Sequence, residues 1–153
     1  MGLSSPKSSK YHNGKFVPKF PEKYAGDADK IFFRSSWERT AMVFFDNNPS
    51  IIKWASEEII VPYISPVDGN THRYYPDFII KIKTNTGEIK NIMVEIKPLI
   101  QCSPPKQGKK KTKRLVEEMK TYSVNQAKWA AATEFCKRNN MTFQVITEKD
   151  LFK

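Results

Sequence analysis

Apolar positions along the chain follow two periods, and the switches between them mark out the elements. Trp37, Ala41, Phe44 and Phe45 recur at the spacing of a helix with one buried side. Ser35-x-x-Glu38 has the form of a capping box at its start, and Asn47-Asn48-Pro49 ends it. The β-branched runs Ile51-Ile52 and Ile59-Ile60-Val61 predict one or two strands between residues 51 and 64, followed by a turn at Pro66-Val67-Asp68-Gly69-Asn70. Residues 74–83 and 88–97 alternate apolar and polar side chains about Asn85-Thr86-Gly87, the pattern of a hairpin. A loop with Pro104-Pro105 leads into a polar helical stretch over 112–121. A second helix over 124–138 buries Ala127, Ala131 and Phe135, with Trp129, Ala132 and Cys136 widening the stripe. Thr142 to Ile146 reads as a last strand, and Thr147-x-x-Asp150 caps a short final turn. The order helix, three strands, helix, strand predicts an α/β domain with a mixed central sheet flanked by helices.

The hairpin register follows from its turn. A three-residue loop ending in a left-handed glycine, here Gly87, sets Thr84 opposite Glu88. Counting outward in twos, Lys81 faces Asn91, Ile79 faces Met93, Asp77 faces Glu95 and Tyr75 faces Lys97. Phe78, Ile80, Ile82, Ile92 and Val94 fall on the other face, which is apolar and must meet the core. Opposed positions bring Cβ atoms to about 4.5–5.5 Å, so Asp77, Glu95 and Lys97 are neighbours.

Two like charges in that position destabilise a sheet unless one carboxylate keeps its proton or both bind a cation. A divalent ion resolves the conflict. Oxygen ligands favour Mg²⁺, or Mn²⁺ in its place, over zinc. Glu-x-Lys alone is common in basic proteins and carries no signal. The combination Pro76-Asp77, strand, glycine turn and Glu95-Ile96-Lys97 is the equipment of a metal-dependent phosphodiesterase.

Charge alone decides little. Lys and Arg outnumber Asp and Glu by 26 to 16 in 153 residues, a formal charge of +10 that favours polyanionic partners such as nucleic acid or an anionic membrane surface, a balance that nonenzymatic basic proteins share. Residues 1–29 are rich in Ser, Lys, Pro and Gly with interleaved Tyr11, Phe16, Phe20 and Tyr24, and they read as a flexible basic arm ahead of a domain over 30–153. Lys106, Lys109, Lys110, Lys111, Lys113 and Arg114 form the densest charge run, suited to holding phosphate backbone without reading bases. His72 reads as a solvated turn residue, Gln126 and Lys128 as helix-surface residues, and Glu57 and Glu58 receive no role. Cys102 and Cys136 lack a CxxC companion and read as reduced, structurally minor thiols. No apolar run approaches the roughly 20 residues of a membrane helix, and the first residues lack a secretory core, so the expectation is a soluble intracellular protein.

These residues resemble the PD-(D/E)xK nuclease superfamily. Pro76-Asp77 and Glu95-Ile96-Lys97 match its two central motifs, and the element order over about 30–150 matches its restriction-endonuclease-like core. Phe33-Arg34-Ser35-Ser36-Trp37-Glu38, Tyr75-Pro76-Asp77-Phe78 and Val145 to Leu151 are similar to the endonuclease subunit of heteromeric transposases, although that family can carry Gln where this chain has Glu95. The basic arm and Ile31 to Glu38 are similar to nucleases of T-even-like phage head assembly. The resemblance implies endo- and exonuclease activity on double-stranded DNA late in head maturation, before tail joining. It also implies head or neck proteins as partners, and the host cytoplasm or virion as location. It implies that Asp77, Glu95 and the Ile96 carbonyl bind Mg²⁺, that Glu38 completes the shell directly or through water, and that Lys97 orients or helps deprotonate the attacking water. Two other readings stay open: a nonenzymatic basic DNA-binding virion component on a nuclease-like fold, and a junction-resolving or transposon-end endonuclease.

Overall fold

The computed structural model describes residues 13–108 and 110–152. In chain order the elements are β1 (Gly14–Lys15), β2 (Phe32–Phe33), α1 (Ser36–Asn47), β3 (Ile51–Ser56), β4 (Val61–Ile64), β5 (Thr71–Tyr74), β6 (Phe78–Lys83) and β7 (Ile89–Ile96). They continue with α2 (Lys113–Arg138), β8 (Thr142–Ile146) and α3 (Glu148–Leu151). Strands β3, β6, β7 and β8 form the central sheet in that order, antiparallel except for the parallel pair β7–β8. That pair needs a long connection, which α2 supplies. The mixed sheet between helices is the α/β architecture expected from the element order.

The hairpin register is the expected one. Phe78 pairs with Val94, Ile79 with Met93 and Lys81 with Asn91. Thr84 N–H donates to the Glu88 carbonyl at 2.8 Å, and Gly87 takes φ +86, open to glycine without strain. Both faces of the sheet are covered. On one, Phe78, Ile80 and Val94 pack with Met42 and Phe45 of α1 around Trp54. On the other, Met93 packs with Ala132 and Cys136 of α2 and with Val61, Tyr63 and Tyr74 of the β4–β5 ribbon.

Three expectations are corrected. First, 74–83 is not one strand. Tyr74 ends β5, where it pairs with Val61, and the main sheet begins only at Phe78. Pro76 has no N–H to contribute to a ladder, so pairing breaks there. His72, expected in a turn, lies in β5 opposite Tyr63. Second, the stretches 112–121 and 124–138 are one helix. Nothing between them breaks it, for Thr121, Tyr122, Ser123 and Val124 include no glycine or proline, and Thr112 caps the start by accepting the Leu115 N–H.

Third, the expected arm over 1–29 is not a separate tail where it is described. Residues 1–12 lie outside the described residues, but from Asn13 the chain is packed on the domain. Phe16 and Tyr24 are each 6% exposed and set their rings edge-on to Trp54 at 5.8 and 4.8 Å. Phe16 N–H donates to the Ile31 carbonyl, and the buried Asp46 accepts the N–H groups of Lys19 and Phe20 at 2.7 and 3.2 Å. Composition reads as a tail because the partners of these aromatics lie some 30 residues or more further on. Among the described residues no helix is long and apolar enough to cross a membrane.

Phe16→Ala should lower the unfolding free energy by about 3 kcal/mol, the usual cost of emptying a buried phenylalanine site. Urea denaturation measures this, and a loss under about 0.5 kcal/mol would mean that this segment does not belong to the core.

Candidate active site

One step beyond the Phe78–Val94 pair, the register sets Asp77 across from Glu95 at the end of the sheet. The backbone around them is arranged to hold this end open. Thr84 and Glu88 form a hydrogen-bonded pair, so every second pair outward does too, and the next after Phe78–Val94 would be Pro76–Ile96. Pro76 cannot donate. The Ile96 N–H turns instead to Asp77 Oδ2 at 2.8 Å, and in an extended strand the carbonyl of that residue points to the same side. Pro76 therefore leaves the Ile96 carbonyl without its ladder donor.

Glu95 is 7% exposed and its two oxygens have separate partners. Tyr74 O–H donates to Oε1 at 2.5 Å, and Lys97 Nζ lies 3.4 Å from Oε2. Burial and the neighbouring Glu95 hold the Tyr74 hydroxyl well above its ordinary pKa, so it remains a donor. Asp77 is pushed up to about 8, first by burial, then by Glu95 and Glu38, against the opposing Ile96 N–H and Lys97. Burial and the facing Glu95 thus favour a proton on the Asp77–Glu95 pair where no cation offsets their charge.

Glu38 reaches the same neighbourhood from the first turn of α1. Its N–H donates to Ser35 Oγ at 3.1 Å, which is half of the expected capping box. Its carboxylate accepts the N–H of Arg34 rather than of Ser35, at 3.0 Å. Burial raises its pKa, with Glu57 and Glu95 adding and Arg34 opposing. Asp77, Glu95, Lys97 and Glu38 are thus within electrostatic reach of one another.

Among the described residues, no three His, Cys, Asp or Glu side chains converge into a metal cage. Two facing carboxylates offer oxygen donors of the kind hard divalent cations take, unlike the closed Cys and His cage of a structural zinc.

An open cleft of about 520 Å³ lies over Glu95, lined also by Arg34, Glu57, Arg73, Tyr74, Tyr75 and Lys128. Of these six, sequence reasoning weighs a role only for Lys128, with Gln126, as a polar auxiliary residue, and prefers a helix-surface reading. Lys128 was expected on the helix surface, yet it is half-buried, whereas its neighbour Gln126 is exposed. Glu57 pairs with Arg34, donates its N–H to the Asp77 carbonyl at 3.2 Å, and sits in the left-handed region at φ +53, unusual for a side chain of that size. Lys106, Lys110, Lys111, Lys113 and Arg114 are exposed on the loop and the first turn of α2, and none lines the cleft. Lys109 lies outside the described residues.

A family model described as TnsA-like endonuclease N terminal matches residues 48–148. That span holds Asp77, Glu95, Ile96 and Lys97 and begins after Glu38. The head completion nuclease of Enterobacteria phage T4 is 38% identical over 144 residues, covering 92% of this chain and 93% of that protein. No solved structure matches the chain significantly.

The raised pKa of Asp77 sets a pH dependence. The folded chain keeps that proton up to about pH 8, while an unfolded aspartate releases it near about 3.9. Folding therefore binds a proton between those values, and the metal-free protein loses stability as pH rises through them. Asp77→Asn should flatten that fall and, at about pH 8 in EDTA, exceed the parent by about 1 kcal/mol or more. Urea denaturation at several pH values measures it; parallel curves for parent and variant would contradict the buried, protonated Asp77.

Proposed function

The chain belongs to the TnsA-like endonuclease family, and on that premise we propose that it hydrolyses phosphodiester bonds of DNA with a Mg²⁺ ion held by Asp77, Glu95 and the Ile96 carbonyl. The observation that carries the reading is a buried Glu95 facing a half-buried Asp77, with Lys97 beside them and an open cleft over Glu95. Glu38, whose charge bears on Asp77, would join directly or through water. Mn²⁺ can substitute, since it accepts the same oxygen ligands.

A bound divalent ion supplies Lewis acidity at the phosphoryl oxygen and favours hydroxide over water at neutral pH. The chain's own residues do the rest. Asp77 and Glu95 fix the place of the reacting phosphate, and Asp77 gives up its proton as the cation arrives. Tyr74 occupies Glu95 Oε1, which leaves Oε2 as the oxygen turned to the reaction, with the Lys97 ammonium beside it. Lys97 orients the attacking water and holds negative charge developing on the phosphate.

The phage relative carries head completion in its name. We place this chain at the same step, acting on DNA before the tail joins, with head or neck proteins as partners. Lys106, Lys110, Lys111, Lys113 and Arg114, exposed and absent from the cleft lining, would track the phosphate backbone outside the reacting position.

Asp77→Asn and Glu95→Gln should each lower cleavage of supercoiled and linear DNA in Mg²⁺ by about a thousandfold or more while leaving the fold intact. EDTA should have the same effect on the parent. Cutting by either purified variant at the parental rate would refute the assignment. Replacing Lys106, Lys110, Lys111 and Lys113 with Gln should lower the slope of log affinity against log salt by about three to four. An unchanged slope would remove the loop from the interface.

A further inference from the structure

We propose that Lys128, Arg73 and Arg34 form a phosphate-binding subsite beside the Asp77–Glu95 pair, holding a phosphate of the DNA strand next to the one cleaved. The proposal rests on the nuclease reading and adds to it a second point of contact with the strand, distinct from the basic loop.

The three cations come from separate parts of the chain, before α1, within β5 and in the middle of α2, yet they line one cleft. Lys128 carries the argument. Its ammonium lies 5.7 Å from the ring centre of Tyr74 and 5.8 Å from that of Tyr63. It makes no ion pair among the described residues, and neither does Arg73. A lysine drawn out of bulk water onto two aromatic faces loses rotamer freedom and some hydration. With no carboxylate against it, the charge remains available to an anion entering the cleft.

The cleft wall itself shows what kind of anion fits. Three cations face two carboxylates, Glu57 and Glu95, and one of these is already engaged by Arg34. Glu57 thereby acts as a brace, holding the Arg34 guanidinium at the rim. Two guanidinium forks and an ammonium around an open space suit a tetrahedral oxyanion, which accepts several hydrogen bonds at once. Its distance from the reaction is fixed by one side chain. The tyrosine whose ring faces Lys128 is the one whose hydroxyl holds Glu95 Oε1, so an anion on Lys128 sits one residue's width from the carboxylate pair.

An internal phosphodiester and a terminal phosphate share this chemistry. Fluorescence anisotropy of the full-length protein in EDTA separates binding from cleavage and separates the two sources. The probes are a labelled DNA duplex and the same duplex carrying a 5′-phosphate. Lys128→Met and Arg73→Gln should each weaken binding by about tenfold at about 0.1 M salt and lower the log–log salt slope by about one. Equal losses on both probes assign the subsite to an internal phosphate, and a loss confined to the phosphorylated duplex assigns it to a terminus. Affinity and slope unchanged in both variants would overturn the subsite. Arg73 is exposed, so its variant keeps the test valid if Lys128→Met does not fold. Because no metal is present, failure of the parent to cleave in Mg²⁺ would refute the nuclease reading without obscuring this result.

Discussion

Two carboxylates are held face to face in a dry place by a hairpin whose register cannot slip. The period of a strand is two, so a shift of one residue would carry Asp77 and Glu95 to the core face and bring Phe78 and Val94 out of the contact they make with Trp54 and Phe45. The apolar face therefore enforces the polar one. Gly87 fixes the count at the turn, and Pro76 stops the ladder one pair short of closing the gap. Stability is given up at this end of the sheet: two carboxyl groups face each other, and burial beside Glu95 raises the Asp77 pKa. Local rules are broken at this end of the sheet, and the packing on both of its faces sustains them.

The surrounding residues make sense as responses to that constraint. Tyr74 and Lys97 divide the oxygens of Glu95 between them, so the carboxylate has one orientation. Glu57, in a left-handed conformation, supports Asp77 through its N–H and Arg34 through its carboxylate. Glu38 brings a third carboxylate from α1 toward the same charge cluster. The span matched by the transposase-type endonuclease family covers the pair and Lys97 but not Glu38, whereas the phage relative is similar over nearly the whole chain. The carboxylate pair lies within the span that the family model matches, and α1 with its preceding segment lies outside that span.

The hairpin, its register and the carboxylate pair were legible in the sequence because a turn, a two-residue period and a motif are all local. The helix α1 and its Ser35 cap were legible for the same reason. What escaped was set by contacts across long separations. Phe16 and Tyr24 look like tail aromatics until Trp54 is seen between them. Lys128 looks like any lysine on a polar helix until that helix is found to run unbroken from Lys113 and to lay it over Tyr63 and Tyr74. Arg73 and Tyr74 were obscured by the assumption that the strand ran through Pro76. Pro76 is half of a motif in the sequence; its consequence for the hydrogen-bond ladder is that β5 and β6 are separate strands.

The central claim is that the Asp77–Glu95 pair is a binding site for a divalent cation in a mixed-sheet nuclease core. Calorimetric titration of Mn²⁺ into the DNA-free protein tests it without relying on cleavage. Saturable binding by the parent, accompanied by proton release at neutral pH and lost in both Asp77→Asn and Glu95→Gln, is the predicted result. Binding that survives in both variants, or a parent that takes up no ion, would contradict it.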